Sequence, residues 1–233
     1  SQGVKAEFIF QDKHQSRNLL ETYFITNKAS LGVQLLSPPK DVEITTDENG
    51  EYHAELMLGP KQEENLVYYL DYQAKAWTGK LFIADEPFIV SDQLAPFEWT
   101  ILPDTKEIAG YNCHAATTHF RGRNYTAYFT PEITLSGGPY KYNGLPGLIL
   151  EISTEDGSYA WHCKSITNLS QTELAQITAP KGPKPVTLDE FRQQSIAFVK
   201  RVIDKIRNSE SVTVDSEPIF NDEQWLERTE KRK

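Results

Sequence analysis

The sequence lacks the features that identify several classes of protein. No apolar run approaches the roughly 20 residues of a membrane-spanning helix. Acidic residues outnumber basic ones by 33 to 24, which gives a net charge of -9. A nucleic-acid binder would need a basic face for phosphates. We therefore expect neither a nucleic-acid partner nor a transmembrane segment. The two cysteines are too few to define a redox compartment.

Catalytic and metal-binding motifs are also absent. The chain has no Gly-x-Ser-x-Gly elbow and no His-Glu-x-x-His helix signature, and it has no Cys-x-x-Cys or His-x-x-x-His spacing. Two Cys/His pairs occur, Cys113-His114 and His162-Cys163. Neighbours in a strand point to opposite faces, so neither pair can chelate a metal as a unit. The sequence predicts no catalytic residue, no metal site and no cofactor.

What the chain does contain is a strand-rich pattern of ordinary composition. Apolar residues make up 39% and charged residues 24% of 233 positions, enough for one all-β core, so we expect a single domain over residues 1–233. β-Branched and aromatic segments between polar or Gly/Pro breaks are typical of strands. They predict strands at 51–58, 66–72, 77–83, 88–90, 113–120, 125–130, 148–152 and 158–165. The first fifty residues remain ambiguous.

One helix is predicted near the C-terminus, over about 188–207. Thr187 and Glu190 are spaced as a capping box, in which each side chain satisfies a free backbone amide of the other. Apolar residues then recur at helical spacing: Leu188, Phe191, Val199, Val202 and Ile206. Such a stripe needs an apolar partner, so we expect the helix to pack on a sheet. The charged tail 221–233 is either a short docked helix or a frayed end.

Two short turns predict the strand register. If Asp156-Gly157 is a two-residue turn, Ile152 lies opposite Trp161 on an apolar face, and Glu151 meets His162 on the other face. That apolar face would comprise Leu148, Leu150, Ile152, Tyr159, Trp161 and Cys163. If Arg121-Gly122 is a second such turn, Phe120, Tyr125 and Phe129 share a face with His114, and Cys113 points the other way. A slip of one residue would reverse each assignment.

The same register bears on the two cysteines. In a plain meander their strands lie three spacings apart, roughly 14 Å at the usual ~4.8 Å per strand, whereas a disulfide needs Cα atoms within about 7 Å. The two side chains also point in opposite directions. We predict that Cys113 and Cys163 are unbonded. A disulfide between them is the alternative.

A longer motif gives a resemblance. Residues 144–149 read Gly-Leu-Pro-Gly-Leu-Ile, and upstream stand Glu98-Trp99, a segment at 106–116 and another at 120–133. In order and spacing this block, about 88–165, resembles the GLPGLI family of exported bacterial proteins. The resemblance implies export and a periplasmic or outer-membrane-associated location. It implies no established biochemical function. A start at Ser1 is compatible with a removed signal peptide, and also with a shortened sequence.

The motif also ends an eleven-residue connection, 137–147, between two predicted strands. That is long for a hairpin, and long ordered loops tend to serve a site or to cover something. We predict a pocket lip that binds an amphipathic ligand with an anionic group. Its ligand-binding residues would be Tyr140, Lys141, Tyr142, Gly144, Leu145, Pro146 and Gly147. The alternative is that Gly and Pro only set a turn before a buried strand, with Leu145 plugging the sheet.

These observations lead to one fold and three functional hypotheses. We predict a mainly β (α+β) protein: a strongly curved antiparallel sheet, an open or nearly closed barrel, with the C-terminal α-helix packed on it. The shape would resemble the half-barrels of periplasmic lipoprotein carriers, an analogy of fold alone. The leading hypothesis is a non-enzymatic envelope protein that binds a small amphipathic molecule, a lipid or a protein on its concave face. The alternatives are an enzyme acting on peptides or glycans, and an interaction module for an outer-membrane protein.

Overall fold

The computed structural model describes residues 3–14, 16–36, 43–46, 52–55 and 62–207, and in these the chain is mainly β. The elements are, in chain order, β1 (Val4–Asp12), β2 (Arg17–Ile25), β3 (Ala29–Leu36), β4 (Glu43–Thr46), β5 (Tyr52–Glu55), β6 (Glu64–Asp71), β7 (Ala76–Ile83), β8 (Glu86–Gln93), β9 (Thr100–Ile108), β10 (Tyr111–Phe120), β11 (Arg123–Thr130), β12 (Leu148–Thr154), β13 (Tyr159–Asn168), α1 (Gln171–Ala175), β14 (Val186–Thr187) and α2 (Leu188–Arg207).

Twelve of these strands form one sheet, in the order β14-β8-β7-β6-β3-β2-β1-β13-β12-β11-β10-β9. Neighbours are antiparallel throughout, apart from β14, which runs parallel to β8. Strands β4 and β5 form a separate hairpin. The first strand, β1, pairs with β13, the last strand of the C-terminal meander, near the middle of the sheet. That pairing joins the N-terminal half to the C-terminal meander, so one continuous sheet carries both.

The C-terminal helix has the predicted limits and cap. The Thr187 hydroxyl accepts from the backbone N–H of Glu190 at 3.2 Å, and a Glu190 carboxylate oxygen accepts from the backbone N–H of Thr187 at 2.7 Å. Helix α2 packs on β8, where the ring of Phe191 meets Phe88 edge-on at 5.6 Å. Phe191 is 8% exposed and belongs to a second apolar cluster with Leu70 and Trp77. The fold class predicted from the sequence is thus confirmed.

Both predicted hairpin registers are observed. Glu151 pairs with His162 and Ile152 pairs with Trp161. Across the other hairpin, His114 pairs with Phe129. The intervening turn places Arg121 and Gly122 at φ 45° and 74°, the left-handed values that a two-residue hairpin turn of this type requires.

A β-bulge changes one detail of the predicted faces. Tyr128 pairs with Glu151, but Phe129 pairs with Ile149, so Leu150 is an additional residue in β12. A bulge breaks the two-residue alternation. The predicted apolar residues Leu148, Leu150 and Ile152 are all buried, and Ile149, which strict alternation would place on the other face, is buried as well.

Other differences concern elements that the pattern missed. Strands β1, β3 and β9 and the short helix α1 were not predicted, and β2 was predicted only as a possibility. The predicted strand 51–58 is described over Tyr52–Glu55 alone. The predicted tail 221–233 and the side chain of Ile206 lie outside the described residues. Within the described part of the chain, no helix is both long and apolar enough to span a bilayer.

Candidate functional site

The long connection between β11 and β12 lies in the concave face of the sheet. Tyr140 shows this most clearly, because its ring contacts Trp161 of β13 at 6.1 Å and Trp77 of β7 at 5.7 Å between centroids. Five strand spacings separate β7 from β13 in the sheet, about 24 Å on a flat surface. The two indoles, which both meet one phenol ring, are within about 12 Å of each other. The sheet must therefore curve around the loop.

The next aromatic residue of the loop is part of the main core. Tyr142 is 1% exposed, and its ring packs against Tyr125 at 5.2 Å, Trp161 at 5.5 Å and Phe97 at 5.8 Å. Leu145, 2% exposed, belongs to the same core cluster. These side chains hold the loop against strands from both halves of the sheet.

The remaining predicted binding residues differ in exposure. Gly144 and Pro146 are exposed, and Gly147 is buried. Gly147 has a φ of 156°, and an added Cβ would stand 2.1 Å from the backbone oxygen of Thr130. Only glycine fits this position. The structure thus brings Tyr140, Lys141, Tyr142 and Leu145 together inside the fold and leaves two of the seven residues on its surface.

Lys141 makes the most unusual contact of the loop. Its side chain has no exposed surface, and its Nζ donates to Asp92 Oδ2 at 2.7 Å. The ammonium also lies 4.2 Å above the Trp77 ring, a favourable position for a cation on an indole. A buried ammonium is costly unless it is paired and hydrogen-bonded. Asp92, at the end of β8, is the residue that makes this burial possible.

Asp92 also holds a second cation. Arg121 donates through Nη1 and Nη2 to the two carboxylate oxygens of Asp92, at 2.7 and 2.8 Å, the paired geometry for which guanidinium is suited. Burial by itself would raise the pKa of Asp92, but the Arg121 hydrogen bonds and the Lys141 charge outweigh it and hold that pKa below its ordinary value. Asp92 is therefore anionic at neutral pH and joins the loop to the β10–β11 turn.

A cleft of about 610 Å³ opens beside this cluster. Four segments form its walls: the end of β8, residues 95–98, the β10–β11 turn and the start of α2. Its walls carry two guanidinium groups, three carboxylates and two phenyl rings: Arg121, Arg192, Asp92, Glu98, Asp189, Phe97 and Phe120. The rings of Phe97 and Phe120 are 4.6 Å apart. The cleft thus places cationic donors beside an aromatic surface.

Arg192 projects into the cleft from the first turns of α2. Its side chain is 11% exposed and donates to Asp189 Oδ1 at 3.3 Å, and the Asp189 side chain is 72% exposed. An ion pair with such an exposed partner contributes little stability. Exchange of this partner for a ligand anion would therefore cost little.

A separate polar cluster lies beneath Tyr140, around Glu21 of β2. The Glu21 carboxyl is buried, and its Oε2 accepts hydrogen bonds from the Tyr23 hydroxyl at 2.7 Å and from Trp161 Nε1 at 2.8 Å. Burial raises the pKa of Glu21 to about 7, and these two hydrogen bonds oppose the increase. A carboxyl that titrates near neutrality inside a core is a candidate for a functional group.

The predicted pair Glu151 and His162 is observed at the opposite surface. His162 Nδ1 lies 3.1 Å from Glu151 Oε2, and Lys106 Nζ donates to Glu151 Oε1 at 2.6 Å. Burial would raise the pKa of Glu151, but the hydrogen bonds from His162 and Lys106 lower it overall. The described residues contain no group of three or more His, Cys, Asp or Glu side chains that could hold a metal ion.

The two cysteines carry free thiols and contact the same core cluster, so the prediction that their side chains point in opposite directions is wrong. Their strands, β10 and β13, are separated by β11 and β12, as in the predicted meander. Burial raises the pKa of Cys113 to about 11 and that of Cys163 to about 12. Both thiols are therefore protonated at neutral pH and poor nucleophiles.

Sequence reasoning missed the residues of the cleft. Asp92, Arg121 and Arg192 are each surrounded by unremarkable sequence, and they lie on three segments that only the folded sheet brings together. The one available signal was the Arg121-Gly122 turn, which was recognised for its backbone and not for the arginine side chain.

Comparisons with known proteins bear on the fold and on one segment. A family model described as "Protein of unknown function (Porph_ging)" matches residues 121–151. That short segment begins at Arg121, runs through β11 and the loop, and includes the Gly-Leu-Pro-Gly-Leu-Ile motif. No curated protein matches the chain.

Among solved structures, the chain is similar to PNGF-II. The C2 space group structure aligns with a TM-score of 0.53 at 14% identity, over 85% of this chain and 33% of PNGF-II. The P21 structure also aligns with a TM-score of 0.53, at 13% identity, over 85% of this chain and 34% of PNGF-II. This chain spans about a third of the length of the PNGF-II chains, and at this identity the similarity concerns the fold alone.

Proposed function

We propose that the protein is a non-enzymatic binding protein whose ligand site is the cleft between β8, the β10–β11 turn and α2. The observation that carries the proposal is the Arg121 guanidinium, fixed by two hydrogen bonds to Asp92 at the wall of a 610 Å³ cleft. The volume suits a small molecule, since ligand pockets are typically about 300–1,000 Å³. The proposed ligand is amphipathic and carries an anionic group.

The anionic group would bind the two guanidinium groups. Arg121 is held in place by Asp92, so little side-chain entropy is lost when a ligand binds. Arg192 is mostly buried, and its partner Asp189 is exposed to solvent. A carboxylate or phosphate matches the planar fork of a guanidinium. In this proposal the ligand anion uses N–H groups of the two guanidinium groups that Asp92 and Asp189 do not occupy, in competition with the carboxylates of the same walls.

The apolar part of the ligand would lie on the phenyl rings. Phe97 and Phe120 are half-buried and contact each other at 4.6 Å between centroids. Phe97 also stacks on Trp99 at 5.7 Å, which supplies a fluorescent reporter next to the cleft. Burial of an apolar chain on these rings would contribute about 25 cal/mol per Å² of surface removed from water.

In this proposal the 137–147 loop acts through Asp92. Lys141 neutralises Asp92 from the buried side, while Arg121 meets it from the cleft side. The loop would therefore position the cleft, and Tyr140, Lys141, Tyr142 and Leu145 would support the site from below. No residue of the loop lines the cleft, so this proposal does not include the direct ligand contacts that we predicted for residues 140–147.

We further propose membership of the GLPGLI family and a location in the bacterial envelope. The motif at 144–149 lies within the segment that matches the family of unknown function, and this supports the first part. An outer-membrane protein that presents an anionic segment would suit the same cleft. Native mass spectrometry of protein purified from its own host would reveal a co-purifying lipid or protein.

The test compares three ten-carbon probes: decanoate, decanol and decyltrimethylammonium. Binding is followed by tryptophan fluorescence and isothermal calorimetry. We expect decanoate to bind with higher affinity than the neutral and cationic probes. Arg192→Gln should weaken decanoate binding by roughly 10-fold or more, the effect of losing a hydrogen bond to a charged group.

A matched control removes a cation elsewhere on the sheet. Lys80→Gln breaks the surface pair with Glu64 on β7 and β6, outside the cleft, and should leave decanoate affinity unchanged. If decanoate fails to bind, or if Arg192→Gln and Lys80→Gln bind it like the wild type, the proposed site is wrong.

A further inference from the structure

The carboxyl group of Glu21 is enclosed by aromatic side chains from several strands. Tyr23 and Trp161 donate to it directly, and Tyr68 of β6 lies close enough to interact with it electrostatically. Tyr68 also donates to the uncharged Gln34 of β3 at 3.4 Å. These neighbours are phenols, an indole and an amide. None of them can supply a compensating positive charge.

The 137–147 loop closes the remaining side of this cluster. The Tyr140 ring stacks on Trp161 and meets Tyr68 edge-on at 5.6 Å. The backbone of Tyr140 is hydrogen-bonded to the Tyr23 hydroxyl, which itself donates to Glu21. The loop is therefore connected to the carboxyl by a chain of two hydrogen bonds.

The conformation of the loop at this point is not a relaxed one. Tyr140 has a φ of 52°, in the left-handed region that residues other than glycine rarely adopt. Such a residue is strained and is held in place by its surroundings. The next residue, Lys141, is held by buried contacts with Asp92 and Trp77 on the surrounding sheet. The loop is thus a seated plug rather than an intrinsically stable turn.

We propose that the 137–147 loop is a proton-controlled plug of the concave face: it is seated while Glu21 is protonated, and ionisation of Glu21 favours its release. This proposal does not rest on the ligand site proposed above, although release of the loop would also separate Lys141 from Asp92 at the wall of the cleft. Release would open the space between Trp77 and Trp161 and would bring water to the carboxylate.

The direction of the pH effect follows from the two states of Glu21. In the seated state burial raises its pKa to about 7, and its ordinary value is 4.5. The pKa values of Tyr23 and Tyr68 are raised well above 10, chiefly by burial, so both stay neutral in this range. Seating therefore takes up one proton. Between pH 4.5 and 7 the population of the released loop should rise about 80-fold in total, most steeply near the middle of this interval.

Hydrogen exchange of the loop amides measures this population. The Tyr142 N–H is bonded to the Pro139 carbonyl and the Gly147 N–H to the Leu145 carbonyl, both within the loop; because both residues are buried while the loop is seated, their amides report on its release. Intrinsic exchange also rises tenfold per pH unit. We expect the observed wild-type rates at Tyr142 and Gly147 to rise about 70-fold between pH 5.5 and 6.5. Glu21→Gln, a neutral isostere, should show only the intrinsic tenfold rise.

Two controls keep the test decisive. An amide in the core strand β12, such as that of Ile152, reports global unfolding and must exchange more slowly than Tyr142. Glu151→Gln removes a carboxylate on the other face of the sheet and should keep the steep wild-type dependence. If the wild-type exchange rates rise only about tenfold between pH 5.5 and 6.5, the proposal is overturned, even if Glu21→Gln fails to fold. So does exchange of Tyr142 and Ile152 at one common rate.

Discussion

The buried pair between Lys141 and Asp92 leads to an asymmetric prediction for its two partners. Asp92→Asn leaves the Lys141 ammonium without a counter-charge at a site that has no solvent exposure. Removing one partner of a buried ion pair typically costs about 3–5 kcal/mol of unfolding free energy. We expect Asp92→Asn to lower the free energy of unfolding by an amount in that range.

Lys141→Met should cost less. The substitution removes one charge-assisted hydrogen bond, about 1.5–3 kcal/mol, but it also removes the desolvated cation. Asp92 retains both hydrogen bonds from Arg121. The unbranched Met side chain can occupy the same space against Trp77 and gain sulfur–aromatic contact.

The double variant gives the sharpest test. Because the harm of Asp92→Asn comes from the stranded ammonium, adding Lys141→Met should restore part of the lost stability. Urea unfolding of the wild type, both single variants and the double variant measures the four free energies. The pair is buried, so 0.5 M NaCl should change the result little. A double variant less stable than Asp92→Asn alone would refute the reasoning.

Four further predictions concern the helix, the thiols, the buried carboxyl and the loop. Phe191→Ala should cost about 3 kcal/mol, the lower end of the usual range for a buried ring because Phe191 is 8% exposed; an unchanged melting temperature would contradict the packing of α2. The two cysteine thiols should resist iodoacetamide at pH 8 in the native state, and intact mass should not change on reduction; a gain of two daltons would reveal a disulfide. Wild-type stability should fall by about 3 kcal/mol from pH 4.5 to 7, because Glu21 must ionise on unfolding, and Glu21→Gln should lack this decline. Tyr140→Ala with Tyr142→Ala should cost several kcal/mol in urea unfolding, since both rings fill the concave face; near-native stability would instead favour a pocket lip.

Much of the sheet was predictable because local chemistry determines it. The hairpin from β12 to β13 combines a buried apolar alternation with an Asp-Gly turn, so the register of Ile152 against Trp161 follows from the sequence alone. Helix α2 was predictable for the same reason, since a capping box and an apolar stripe coincide. In both cases the local preference agrees with the tertiary environment.

Strands β9 and β1 were not predicted from the sequence, for different reasons. Strand β9 lies at the end of the sheet and is mostly exposed, so its sequence shows little alternation of apolar and polar residues. Pro103 is a second reason, because proline in a segment argues against a strand. Strand β1 did carry a signal: Val4, Ala6 and Phe8 are buried and alternate with partly exposed residues. That signal was overlooked because the surrounding segments were ambiguous.

The loop shows the limit of reading chemistry from residue types. Two tyrosines, a lysine and a leucine between glycines suit an amphipathic pocket rim. They suit equally well a buried plug whose lysine pairs with a carboxylate of the sheet. The choice depends on a residue 49 positions away, because Lys141 can be buried only where Asp92 meets it. Asp92 lies at the end of β8. Its separation from the loop in sequence does not predict that the two are in contact. Only the curvature of the sheet brings the two together, and that curvature is itself maintained by the rings of Tyr140 and Tyr142. The loop and the concave face therefore specify each other, and neither could be assigned before the other was known.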